Sequence, residues 1–168
     1  MATRTKPEQD RREFPGHEPA VSGRNLRTLS PAECLHLLTE GGIGRVGFMS
    51  AGGIVMLPVN FAVAGKTIVF RTAPDTVLAA YGAAQGDTRV SFEADHLDEA
   101  HREGWSVLVQ GHTHKVTGEA EVRRLEHATS LEPWASGARD VYVRITPIRI
   151  TGRRIAGPRG GAGSTFRS

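Results

Sequence analysis

Short apolar runs punctuated by glycine fill the middle of this chain, and they narrow its fold more than any other feature. Arg45-Val46-Gly47-Phe48-Met49 is followed by Ala51-Gly52-Gly53. Ile54 to Val63 is closed by Ala64-Gly65-Lys66, and Thr67 to Arg71 follows at once. Apolar runs separated by such brief turn signals predict antiparallel hairpins. Thr88 to Glu93, Trp105 to Val116 and Val141 to Ile150 continue the series. The last of these alternates Val141, Val143 and Ile145 against Tyr142 and Arg144, the period of a strand with one buried face. Six strands and few helices predict a mainly β domain in which the sheet closes, fully or partly, into a barrel, because closure removes exposed edges.

Three helices are expected between the strands. Ser30-Pro31-Ala32-Glu33 is a helix start: Ser30 caps, Pro31 suits the first helical position and Glu33 completes a capping box. Cys34, Leu35 and Leu38 give that helix an apolar face, and Gly41-Gly42 ends it. Cys34 reads as a small buried residue rather than a nucleophile. Helical segments are also expected near Val77–Ala84 and Ala120–Ser130. Residues 1–26 read as a disordered arm, 27–156 as one domain and 157–168 as a flexible tail.

The net charge of +3 does not mark a nucleic-acid binder. Residues 1–27 carry six Lys+Arg and four Asp+Glu, and residues 153–168 carry four Arg and no acid, leaving 11 basic and 14 acidic residues between them. The domain itself is slightly acidic and shows no basic stripe with interleaved aromatics. A single cysteine excludes an intramolecular disulfide and fits a reducing compartment. No apolar run approaches the roughly 20 residues that span a bilayer. The expectation is a cytoplasmic protein with no specific nucleic-acid or membrane partner.

Chemistry concentrates at Thr67–Leu78, TIVFRTAPDTVL, where a strand stops and a helix begins. Arg71, Thr72 and Thr76 gather a cation and hydroxyls there, a plausible seat for a phosphate group. An ordinary strand-to-helix corner with a solvated arginine is the plainer alternative. Pro58-Val59-Asn60 interrupts a strand with proline, which implies an edge or bulge, and offers an amide. Trp105 and Ser106 open one strand, and Trp134 and Arg139 sit in a loop; indole and guanidinium groups both suit a heteroaromatic ligand. Both tryptophans equally suit a role as plugs at the barrel ends. His112 and His114 share one face of a strand, and His96 and His101 lie in the polar loop Asp95–Glu103. These histidines read as solvated side chains, since no zinc signature accompanies them. No catalytic acid–base pair, nucleophile elbow or Walker loop is present, so a cofactor would carry any chemistry.

In order along the chain, GRVGF, MLPVNF, IVFRTAPDTVL, VSFEAD, GWSVLVQG and PWASGARDVYVRITPIRITGRRI resemble the pyridoxamine 5′-phosphate oxidase-like family. The resemblance covers about residues 27–155. It implies a six-stranded antiparallel split β-barrel with short helices, a homodimer, and FMN held between subunits by an oxidoreductase acting on a small-molecule substrate. It implies that Phe70, Arg71, Thr72 and Thr76 form the phosphate side and that Pro58, Val59 and Asn60 lie along the ring. Trp105 and Ser106 would approach the cofactor, and Trp134 and Arg139 would reach it from the second subunit. Relatives commonly read T-x-P-G-T-K-L after the strand, whereas Asp75 and Val77 stand here for the glycine and lysine. That departure keeps open a deazaflavin-dependent reductase and a non-catalytic barrel for flavin or haem.

Overall fold

The structure, a computed structural model, describes residues 25–83, 88–129, 131–132, 134 and 137–157. The two terminal segments expected to be irregular therefore lie almost wholly outside the described residues. The strands are β1 (Leu26–Leu29), β2 (Gly42–Ser50), β3 (Gly53–Ala64), β4 (Thr67–Thr72), β5 (Arg89–Asp98), β6 (Glu103–Lys115) and β7 (Val141–Ile155). The helices are α1 (Pro31–Leu38), α2 (Val77–Ala83) and α3 (Glu119–Ala128).

The sheet order is β1-β7-β4-β3-β2-β5-β6, and β6 also pairs with β7. Six strands, β2 to β7, thus close on themselves, as the hairpin pattern predicts. β1 is a seventh strand outside that ring: Leu26–Leu29 pairs with Gly152–Ile155, the half of β7 that β4 does not reach. The barrel interior takes alternate residues from each wall. Val46 and Phe48, Ile68 and Phe70, Phe92, Val107 and Val109, and Val143 and Ile145 all lie in one core cluster. Phe61 and Phe92 meet edge-on within it, with ring centroids 4.8 Å apart. A second, smaller cluster lies outside the barrel, where α3 sets Leu125 against Val69 and Tyr142.

α1 closes one end as its sequence dictates. The Glu33 amide donates to Ser30 Oγ (3.3 Å) while the Ser30 amide donates back to Glu33 Oε2 (2.8 Å). That backbone bond, with the Arg27 guanidinium 2.7 Å away, holds the Glu33 carboxyl down at about 2. Cys34 is fully buried, and burial pushes its thiol up. A Cβ on Gly152 would stand 2.6 Å from Cys34 Sγ, so glycine there lets the helix lie directly on β7.

The expected polar loop Asp95–Glu103 is instead a continuation of the β5–β6 hairpin, paired out to Asp98 and Glu103. The tip bends through Arg102 at φ 54°, and Asp98 accepts from the His101 amide (3.0 Å). Local side-chain bonds of this kind let a polar stretch finish a hairpin.

Candidate functional site

The site exists because one ladder stops early. β3 and β4 pair only from Phe61–Phe70 to Ala64–Thr67. Beyond Phe61 the strands part: β4 ends at Thr72 and the chain turns into α2, while β3 stays on β2 as far back as Gly53. Pro58, which has no amide proton to give, lies on this open flank, as its position in an otherwise apolar strand predicts.

A cavity of about 330 Å³ fills the gap. That lies within the range of roughly 300–1,000 Å³ usual for small-molecule sites. Leu57, Pro58, Val59 and Leu78 supply apolar walls; Asn60, Thr72 and Thr76 supply polar neutral groups; Arg71 and Arg139 supply the charge. Among the described residues, no carboxylate lines it. The combination suits a ligand with a flat apolar part and an anionic part.

The corner after β4 is fastened by a hydroxyl chain. Thr76 Oγ1 donates to the Ala73 carbonyl (2.8 Å) and accepts from the Ala79 amide (3.2 Å). Its one proton is thereby used, so in the 2.7 Å contact with Thr72 it is Thr72 that donates. Thr76, not Asp75, caps the short helix. Asp75 is exposed and lies outside the cavity lining, as does Val77, which is half exposed.

Arg71 is tied to the connection that leads into β7. Its Nε donates to the Arg139 carbonyl (2.8 Å) and its Nη1 makes a long, 3.5 Å bond to the Leu131 carbonyl. Nη2 stands 3.7 Å from Asp140, and the guanidinium carbon lies 5.3 Å from the centre of the Tyr142 ring. Burial raises the Tyr142 phenol above its ordinary value, against the pull of that arginine. Trp134 donates its amide to Asn60 Oδ1 (3.1 Å) and leaves its indole exposed.

Of the residues singled out in the sequence, the chain brings together Pro58, Val59, Asn60, Arg71, Thr72, Thr76 and Arg139, with Trp134 bonded at the rim. Arg139 lines this cavity from its own chain, where the resemblance implied a reach from a second subunit. Phe70 does not reach it; strand alternation turns Phe70 into the barrel core, with no exposed surface, while Arg71 faces outward. Trp105 and Ser106 do not line it either: they sit at the start of β6, and Trp105 packs against the core. Leu57 and Leu78 were missed as lining residues, though Leu57 adjoins Pro58 and Leu78 lies two positions after Thr76. His112 is half-buried and His114 exposed on the wall of β6. Among the described residues, no three His, Cys, Asp or Glu side chains gather as a metal site.

The sequence pattern of the family described as pyridoxamine 5′-phosphate oxidase matches residues 30–154. The chain is 35% identical over 136 residues to the uncharacterized protein Rv0080 of Mycobacterium tuberculosis, spanning 80% of this chain and 88% of that one. Among solved structures it is similar to the FAD binding protein from Mycobacterium smegmatis, with 34% identity and a TM-score of 0.63, covering 77% of this chain and 98% of that one. A protein of unknown function from Corynebacterium diphtheriae shares 26% identity and a TM-score of 0.63, covering 79% and 99% of the two chains.

Proposed function

The chain belongs to the pyridoxamine 5′-phosphate oxidase family, and from that premise we propose that it is a flavin-dependent oxidoreductase that holds FMN in the split between β3 and β4. The observation that carries this is the pairing of an apolar wall, Leu57, Val59 and Leu78, with Arg71 and Arg139 in one cavity that no carboxylate lines among the described residues. An isoalloxazine ring fits the first part, and the positive potential of the second suits its phosphate. The similarity to an FAD binding protein supports a flavin over other flat ligands. A bound flavin supplies hydride or electron transfer; the chain's own residues bind and orient it and shield one ring face from water. The fold class alone names no substrate.

Residue chemistry also supports a homodimer. Met49, Ile54 and Met56 form an exposed apolar stripe on the outer face of β2 and β3, running toward Pro58 and the cavity. A second copy seated there would bury the stripe and bring new side chains to the split. Among the described residues, no helix is long and apolar enough to cross a membrane.

Purified protein is expected to be yellow, or to quench flavin fluorescence on titration with micromolar affinity or better. FMN, FAD and a deazaflavin titrated side by side separate the oxidoreductase from its nearest rivals. Colourless protein that leaves all three unchanged rejects the proposal. A light-scattering mass equal to one chain rejects the dimer.

A further inference from the structure

Arg71 is the residue that the sequence most strongly assigns to a phosphate, yet the bonds it makes within the chain point elsewhere. Nε and Nη1 reach the carbonyls of Arg139 and Leu131, and Nη2 faces Asp140. Leu131 and Arg139 stand near the two ends of the connection from α3 to β7. One planar guanidinium therefore draws both ends of that connection onto β4, using the fixed fork that distinguishes arginine from lysine. The ring of Tyr142, its cross-strand partner on β7, lies against the same guanidinium. A second tie lies beside it. Asn60 and Arg71 each adjoin the last β3–β4 pair, Phe61–Phe70, on the face opposite those rings, and Asn60 accepts the Trp134 amide. The neighbouring hydroxyls point the same way, since Thr72 donates to Thr76 and Thr76 to the Ala73 carbonyl.

We infer that Arg71 is a positioning residue: it staples the base of the α3–β7 connection, setting Arg139 and Trp134 at the cavity, and does not itself grip the ligand's anion. The inference rests on the flavin proposal only for its binding readout. Its structural readout stands alone.

The test compares Arg71→Gln and Arg71→Lys with the unaltered protein, using riboflavin and FMN as probes. A staple needs the fork, so both variants should lose it. Exchange of the Trp134 amide, followed by NMR, should quicken by about tenfold or more in both, with amides of β5 and β6 unchanged. In Arg71→Lys, which keeps the charge, affinities for riboflavin and FMN should fall by the same factor, because no phosphate contact is lost. Three results overturn the inference: Arg71→Lys keeping full FMN affinity, Arg71→Gln weakening FMN while sparing riboflavin, or unaltered Trp134 exchange in both variants. If Arg71→Gln fails to fold, Arg71→Lys alone decides through the same readouts. If the unaltered protein binds neither probe, the flavin proposal falls and the exchange measurement still decides the staple.

Discussion

The wall from β5 through β6 to β7 and the flank between β3 and β4 use similar residues to opposite ends. On the wall, Arg89–Asp98 pairs without a break against Glu103–His112, and β6 continues onto β7 with a single bulge at Gln110–Gly111. On the flank, pairing stops at Phe61–Phe70. The wall satisfies its backbone groups with other strands. The flank instead sends side chains, Arg71 and Asn60, to carbonyls and an amide of a distant connection. Stability is thus expected to concentrate in the wall, and ligand affinity in the flank.

The largest effect should come from the wall. Phe92 is fully buried against Phe61, and Phe92→Ala should cost about 3–5 kcal/mol in urea unfolding. A loss under about 1 kcal/mol would break the comparison at its stronger side. Next comes the bulge. A Cβ on Gly111 would lie 2.3 Å from the Thr146 carbonyl oxygen, which is backbone and cannot swing aside. Gly111→Ala should cost about 1–3 kcal/mol with flavin affinity preserved in what remains folded. On the flank the order reverses. Asn60→Ala removes one partly exposed hydrogen bond, so stability should fall by about 1 kcal/mol or less while flavin binds several-fold more weakly. A stability loss as large as that of Phe92→Ala would erase the distinction.

The smallest effect concerns the closed end. Glu33 titrates well below its ordinary value in the folded chain, so its contribution is complete above the usual carboxylate range and fades as pH falls toward about 2. The melting temperature of Glu33→Gln should therefore lie slightly below that of the unaltered chain at neutral pH, and the two should converge in acid. A constant gap across that range would show that the cap acts through shape alone.

Much of this division could be read in the sequence. Glycine-bearing turns such as Gly52-Gly53 and Gly65-Lys66 set hairpins, and Ser30 with Glu33 set α1, because turns and caps are local chemistry. The position of the cavity was also legible: Pro58 marked an open flank, and Arg71 and Thr72 marked its far side. What Arg71 bonds was not, since Leu131 and Arg139 come to it only through the course of the whole chain. β1 escaped notice because Leu26–Leu29 is short and carries no turn signal of its own; it is a strand only because β7 is long enough to receive it. The face of Phe70 was available from period-two alternation beside Arg71, and the strength of the neighbouring motif hid it. The hairpin through Asp95–Glu103 was read as a loop because its residues are polar, yet pairing there is backbone work and tolerates polar side chains at an exposed tip.

β7 pairs with β1, β4 and β6, and among the described residues it is the last of the seven strands. Until it is synthesised, β4 has only its short ladder with β3, and β6 has one bare side. A growing chain therefore carries unpaired edges through most of its production and closes them in one late, long-range event. Such a topology slows folding and lengthens exposure to wrong partners. The strand that completes the ring thus also sets the time at which a nascent molecule becomes safe from its neighbours.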